Sequence, residues 1–260
     1  MDTSDLIHKK STSRTEAHDK DQHDDEGKNK DNQVFVHEVI ACLNYFSYFC
    51  IVERIKLSMK LVIFTKSTFF VEEDKILTAL FEEGMDNLHL YKPGSSPMYS
   101  ERLLSLLPDD YYKKITVHDH YYLKNEYGLG GINIDTPDTL PPEGYKGNFT
   151  RTCARIDQLK EAKRKARYVF LDYVFDGITI PEQKSAHTLA ELKEASKRGL
   201  IDKHVYALGG VTLENIKQAK DLGFGGVAVR GDLWNRFDIH NEVDYKELIS
   251  HFEKLRKAVG

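Results

Sequence analysis

The stretches Val205-Tyr206-Ala207-Leu208-Gly209-Gly210 and Gly225-Gly226-Val227-Ala228-Val229-Arg230-Gly231 decide the fold of this chain. Each is a short apolar run that ends in a glycine-bearing turn, and a segment of helical spacing, Leu213 to Asp221, joins them. A short run that is apolar at successive positions reads as a strand buried on both faces, and strand–helix–strand is the unit of a parallel sheet.

The same unit repeats toward the N-terminus as far as Lys60. Leu61-Val62-Ile63-Phe64-Thr65 is the first strand. A helix is predicted over 71–83, with Ile76, Leu77, Leu80 and Phe81 on one face and Gly84 as its stop. Strand two is 87–91, and its helix, 98–107, ends before Pro108. Strand three is 114–117, followed by a short helix over 121–127. After strand four, 131–134, the helix is missing, and Pro137, Pro141, Pro142 and Gly144 predict a loop. A weak strand five is expected at 147–150, with a helix over 156–165; strand six is 168–171, with a helix over 189–198. After strand eight a helical turn is expected near 232–235, and Leu248, Ile249, Phe252, Leu255 and Val259 mark a terminal helix over 244–259. Eight such steps in about 200 residues predict a small α/β protein, a single-domain (β/α)8 or TIM barrel. An open doubly wound sheet is the alternative, but no glycine-rich dinucleotide turn follows strand one.

The domain reading is an extension over 1–58 and a barrel over 59–260. Residues 1–33 hold no aromatic side chain and carry charge runs such as Asp24-Asp25-Glu26, so they are expected to be disordered. His8, His18 and His23 are too scattered to read as a metal tract. Residues 34–52 are strongly apolar and approach the roughly 20 residues of a bilayer span. Glu38 lies inside the stretch and an acidic segment precedes it, which argues against a membrane span and against a secretory signal. An amphipathic helix docked on the barrel or on a partner remains open there. So does an upstream extension without a role in the barrel, with Met59 as the natural start. A net charge of −4 gives no reason to expect a general nucleic-acid binder, and three cysteines without metal-ligand spacing fit a reducing cytoplasm.

In a barrel of this kind the chemistry gathers at the C-terminal ends of the strands. Thr65 and Lys66, Tyr91 and Lys92, His118, Asp119 and His120, Asp135 and Asp138, Thr150, Arg151 and Thr152, Asp172, Asp176 and Thr179, Gly209 and Gly210, and Arg230, Gly231 and Asp232 stand there in strand order. Glycines admit backbone N–H groups close to an anion, so Gly209-Gly210 and Arg230-Gly231 point to a phosphate site; plain tight turns are the alternative. Asp119 and Asp138, with Asp135 nearby, could hold Mg²⁺, or could be solvated loop carboxylates. His118 is a candidate donor to phosphate, and a packing role is expected of His120. Cys153 reads as a buried structural thiol.

The segments Tyr206-Ala207-Leu208-Gly209-Gly210-Val211-Thr212-Leu213-Glu214-Asn215 and Gly223 to Gly231 resemble the "A-I-G-G-I-T-P-E-N" and "G-A-D-G-V-A-V" blocks of the family of thiamine phosphate synthase and its thiazole tautomerase relative, TenI. The resemblance runs over 60–259. It implies a transferase of thiamine biosynthesis that joins an aminopyrimidine diphosphate to a thiazole phosphate and releases pyrophosphate, with Mg²⁺ neutralising the diphosphate. By position it implies Asp119 and Asp138 as metal ligands. Gly209, Gly210, Arg230 and Gly231 fall on the thiazole-phosphate site, and Thr179 on a loop hydroxyl after strand six. With His118, Thr179 is the expected catalytic residue. His89, Tyr91, Lys92, Thr150 and Thr152 are expected to contact substrate.

The chain departs from the family pattern in several places. The Gln-x-Arg-x-Lys that grips the diphosphate after strand two is replaced by His89, Tyr91 and Pro93, with Lys92 out of phase. Ile180 stands where the strand-six loop carries a lysine, and Lys184 is the nearest one. The tautomerase histidine is Ala154 here, which argues against that activity. Arginine offers a bidentate fork that tyrosine does not replace. The expectation is an enzyme, with a non-catalytic or regulatory phosphate-binding barrel as the alternative. Its partners would be small phosphorylated substrates, with no nucleic acid. Its setting would be cytoplasmic, with homo-oligomerisation open.

Overall fold

The computed structural model describes residues 59–136, 139–180, 182–237 and 245–260. Eight parallel strands close into a barrel in sequence order. They are β1 (Lys60–Phe64), β2 (Leu88–Leu90), β3 (Ile115–Val117), β4 (Gly131–Ile134), β5 (Phe149–Cys153), β6 (Val169–Leu171), β7 (Val205–Ala207) and β8 (Gly226–Val229). Closure rests on β1 against β8, with Lys60 opposite Gly226 and Ile63 opposite Val229. The open doubly wound sheet is thereby excluded.

The helices are α1 (Glu73–Glu82), α2 (Pro97–Leu106), α3 (Leu123–Glu126), α4 (Leu159–Lys165), α5 (Leu189–Lys197), α6 (Ile216–Asp221), α7 (Gly231–Trp234) and α8 (Lys246–Val259). Local signals set their ends. Pro97 occupies the first turn of α2, where its missing N–H costs nothing. Thr188 caps α5 by accepting the Glu191 N–H at 3.2 Å, while the Glu191 carboxylate accepts the Thr188 N–H at 2.8 Å. Gly84, at φ 90°, ends the first strand–helix unit. The connection from β4 to β5 carries no helix among its described residues, as the prolines predict.

Two elements differ from the sequence reading. A 3-10 helix over Asp109–Lys114 leads into β3, so that strand begins at Ile115. Its acidic start and its closing Lys113 and Lys114 suit the helix dipole. β5 runs to Cys153, not 150, which puts Thr150, Arg151 and Thr152 in the strand itself. Three polar residues in a row, Thr150-Arg151-Thr152, hid the end of that strand; Thr150 turns into the polar interior and donates to Asn133, while Cys153 packs in the outer apolar shell.

Period-two alternation divides the core in two. Leu61, Ile63, Leu88, Ile115, Ile132, Val169 and Val227 pack outward against the helices, in one apolar shell. Val62, Phe64, Phe170, Tyr206 and Ala228 turn inward, with Tyr168, and fill part of the barrel. The rest of the interior is polar: His89, Thr116, His118, Asn133 and Thr150 are all buried. Buried polar groups are costly unless hydrogen-bonded, and here they lead to the site. Residues 1–58, with the expected disordered and apolar segments, lie outside the described residues.

Candidate functional site

The inward parity of the strands, carried to the end of β5 and just past the ends of the others, builds the mouth of the barrel. Tyr91, Asp135, Thr152, Asp172, Leu208 and Arg230 each stand two positions beyond an inward-facing residue, and all six line a cavity of about 450 Å³. Asp119, Thr179, Gly209, Gly210 and Gly231 line it too. The structure therefore brings together seven of the expected site residues (Tyr91, Thr152, Thr179, Gly209, Gly210, Arg230 and Gly231) and the expected metal ligand Asp119.

On one side of the cavity are the two glycine turns. Gly209 and Gly210 have φ of 84° and 66°, values that side-chain-bearing residues rarely adopt. A Cβ on Gly210 would lie 2.1 Å from the Asp176 carbonyl oxygen, and one on Gly209 would lie 2.7 Å from the Tyr173 nitrogen. The turn after β7 is thus pressed against the loop after β6. A Cβ on Gly231 would lie 2.7 Å from the Thr179 hydroxyl, so Thr179 closes over the turn after β8. Tyr173 itself has φ 58°, and its N–H donates to the Asp172 carboxylate at 2.7 Å. Burial pushes the Asp172 carboxyl above the usual range, against the pull of its own loop amide and Arg230.

Under the mouth runs a polar chain. The Tyr168 hydroxyl is 2.8 Å from His89 Nε2, His89 Nδ1 is 2.8 Å from His118 Nε2, and His118 Nδ1 is 3.0 Å from Asp135 Oδ1. A carboxylate at the end sets the direction. It accepts from His118 Nδ1–H, so His118 Nε2 accepts from His89 Nδ1–H, and His89 Nε2 accepts from Tyr168. Asn87 completes the chain by donating to the Tyr168 oxygen at 2.9 Å. Burial, followed by the neighbouring His118, holds His89 well below the usual histidine range. Asn133 donates to Asp135 at 2.6 Å and accepts from the Thr150 hydroxyl at 2.7 Å. His89, His118 and Thr150 therefore stand beneath the cavity floor, not on it, and their hydrogen bonds lead to Asp135, those of Thr150 through Asn133. Asn133 and Tyr168 went unread in the sequence; a polar residue at an inward position, as in Gly131-Ile132-Asn133-Ile134, is the signal that finds the first.

The cations are fewer at the mouth than expected. Lys92 is buried, with its ammonium 2.6 Å from Glu73 and lying 4.3 Å from the Phe69 ring centre, so it braces α1 and does not face the cavity. Burial pushes Glu73 up to about 7 despite this partner. Lys184 pairs with Asp176 at 3.3 Å on the surface. Among the described residues, Arg230 is the cation lining the cavity, and its guanidinium sits 5.5 Å from the Tyr91 ring centre across the mouth. His120 does pack, with its Nε2 2.9 Å from the Ser95 carbonyl. Cys153 is fully buried and its thiol is pushed up to about 11, which leaves it inert.

Asp138 lies outside the described residues. Asp119 carries a buried Oδ2 with no hydrogen-bond partner among the described residues. A buried acceptor left unpaired is costly, and a hard cation would satisfy it. No group of three or more His, Cys, Asp or Glu side chains is placed to hold a metal among the described residues. Mg²⁺ takes one or two carboxylates and keeps phosphate oxygens and water as its other ligands, and Asp119 lines the cavity with one such carboxylate. The residues present fit such an ion.

The family model of thiamine monophosphate synthase matches residues 109–233. The thiamine-phosphate synthase of Nitrosococcus oceani is 29% identical over 136 residues, 50% of this chain and 61% of that protein. That of Limosilactobacillus reuteri is 24% identical over 150 residues, 55% of this chain and 64% of that protein. The chain thus spans less than two thirds of the length of these curated relatives. A crystal structure of thiamine phosphate pyrophosphorylase from Bacteroides thetaiotaomicron is 46% identical, covers 77% of this chain and 97% of that one, and superposes with a TM-score of 0.69. The pyrophosphorylase of Pyrococcus furiosus, at 17% identity and a TM-score of 0.59, shares the fold. The identity to the Bacteroides protein, held over almost all of its length, places this chain in the thiamine monophosphate synthase family.

Proposed function

We propose that the barrel is a transferase of thiamine-phosphate synthase type, joining an aminopyrimidine diphosphate to a thiazole phosphate with release of pyrophosphate. The observation that carries this reading is the cavity itself, where two glycine turns and Arg230 face Asp119 and its unpartnered oxygen. The backbone amides of Gly209, Gly210 and Gly231 would hold the thiazole phosphate, with the Thr179 hydroxyl beside them. Tyr91 and Phe64 offer aromatic faces to a flat heterocycle. Thr152 and Asp135 stand on the floor as hydrogen-bonding partners for its substituents.

The charge balance also supports the reading. Among the described residues, Asp119, Asp135 and Asp172 line the cavity with one guanidinium, so a diphosphate needs a cation to enter. Asp119, and Asp138 by sequence position, would hold Mg²⁺, which supplies charge neutralisation on the departing diphosphate. Once the carbon–oxygen bond to the pyrimidine methylene weakens, what the chain contributes is positioning and exclusion of water, with little acid–base work.

The substrates would be small and phosphorylated, and the setting cytoplasmic; no helix among the described residues is long and apolar enough to cross a membrane. Residues 59–260 would carry the activity, with 1–58 as an extension. The test is formation of thiamine phosphate from the two purified precursors, by the full chain and by a chain begun at Met59. Product from both supports the reading. No product from either, with phosphate still bound, would instead indicate a non-catalytic barrel.

A further inference from the structure

The two glycine turns belong to different strand–helix units, yet one carboxylate ties them together. Asp232 is the second residue of α7, directly after Gly231, and is 9% exposed. Its Oδ2 accepts the N–H of Leu213, three residues past Gly210, at 3.1 Å. The same oxygen lies 2.7 Å from Nε2 of His251, a buried residue of α8. Arg236 donates to the Asp232 carbonyl at 3.1 Å and reaches its Oδ1 at 3.4 Å. Around this hub each turn is closed locally. Asn215 Nδ2 donates to the Gly210 carbonyl at 2.9 Å, and Trp234 Nε1 donates to the Phe64 carbonyl at 2.6 Å, fixing α7 on the end of β1.

We propose that Asp232, held by His251, is a positioning residue that locks the Gly209-Gly210 and Arg230-Gly231 turns into one anion cradle. The proposal rests on the reading of these turns as the phosphate site. A bare carboxylate one residue from a phosphate site would repel the ligand. Here the carboxylate is turned onto a backbone amide, an imidazole and a guanidinium, and it does not line the cavity. An anion site built from backbone amides binds tightly only if those amides are already in place, because the entropy lost in ordering them would offset their hydrogen bonds to the ligand. His251 is remote from the cavity by sequence and by burial, so its effect must travel through Asp232 and the turn geometry.

The test uses the full chain and the substitutions His251→Ala, His251→Gln and Asp232→Asn. It measures calorimetric affinity for inorganic phosphate and, for coupling, the separate kcat and KM for thiazole phosphate. His251→Ala should weaken phosphate binding about tenfold and raise that KM by a similar factor, with kcat held within about twofold. His251→Gln, whose amide can still donate to Asp232, should restore most of the loss. Should His251→Ala fail to fold, Asp232→Asn keeps the shape and the acceptor but weakens the charged contacts, and the same split is expected of it. Folded variants that bind phosphate as the parent does would overturn the proposal. A parent chain that binds no phosphate would instead overturn the phosphate reading beneath it.

Discussion

His118 Nδ1 lies 3.0 Å from Asp135 Oδ1, just past β4, and this contact gives direction to a chain of hydrogen bonds that begins at Asn87, at the N-terminal end of β2. His89 sits in the middle of that chain, fully buried and neutral. Its folded pKa is depressed below the ordinary value of about 6.5, so below that pH the unfolded chain takes up a proton that the folded chain refuses. The stabilisation from a neutral His89 is therefore fully present above about pH 6.5 and is lost as pH falls toward the depressed value. Melting temperatures measured from pH 8 to pH 5 should fall on the acid side. His89→Leu should lower stability at pH 7 by roughly 1–3 kcal/mol, because Tyr168 and His118 lose a partner, and should flatten the acid slope. An acid slope identical to the parent's would refute the assignment.

Glu73 and Lys92 form a different kind of pair, with both side chains 1% exposed. Removing Lys92 leaves Glu73, already raised to about 7 by burial, as a buried carboxyl without its partner, and the loss is about 3–5 kcal/mol. Lys92→Met should therefore be strongly destabilising in urea denaturation. Glu73→Leu combined with Lys92→Met should recover most of the loss, since α1 can pack there through apolar contacts alone. Additive losses in the double variant would show that the ammonium serves something other than Glu73.

The barrel was legible because its shell obeys a simple rule. Leu61, Ile63, Val227 and Val229 are apolar on the face that meets the helices, and glycines and prolines mark where each unit turns. The interior obeys no such rule. His89 in Leu88-His89-Leu90 looks, in sequence, like a substrate contact at a strand end, and only the register of the closed barrel puts it under Phe64 and against His118. Lys92 misled for a related reason. It follows β2 at the mouth, but its stem turns outward to Glu73 at the start of α1, a partner in the preceding unit that no local spacing reveals. The glycine turns were readable because their demand is on their own backbone. Asp232 and His251 were not, because their pairing depends on where the terminal helix packs.

Gly210 is the position where the cradle should fail most sharply. At φ 66° an alanine is strained, and its Cβ would stand 2.1 Å from the Asp176 carbonyl oxygen, so the backbone has to move. Gly210→Ala should weaken binding of inorganic phosphate or thiazole phosphate by tenfold or more, by order of magnitude, and cost about 1–3 kcal/mol of stability. Isothermal calorimetry and a denaturant melt measure the two effects separately. Unchanged affinity in a folded variant would move the phosphate site away from this turn.

Asp119 carries the last prediction. Its Oδ2 is buried and lacks a hydrogen-bond partner among the described residues, and the cavity it lines holds two further carboxylates and one guanidinium. A diphosphate brought there meets more negative than positive charge, and neither Lys92 nor Lys184 lines the cavity to correct the balance. Coupling should then depend on Mg²⁺ more steeply than a site rich in lysine and arginine would require. Asp119→Asn preserves the shape and removes the charge that a hard cation prefers, so kcat/KM should fall roughly a hundredfold, the scale of one strong electrostatic contact in an active site. Phosphate affinity at the glycine turns should change little, because those amides are contributed by other strands. Raising the Mg²⁺ concentration should recover part of the loss if the aspartate acts by holding the ion. A rate indifferent both to chelator and to Asp119→Asn would exclude a metal-assisted departure of the diphosphate.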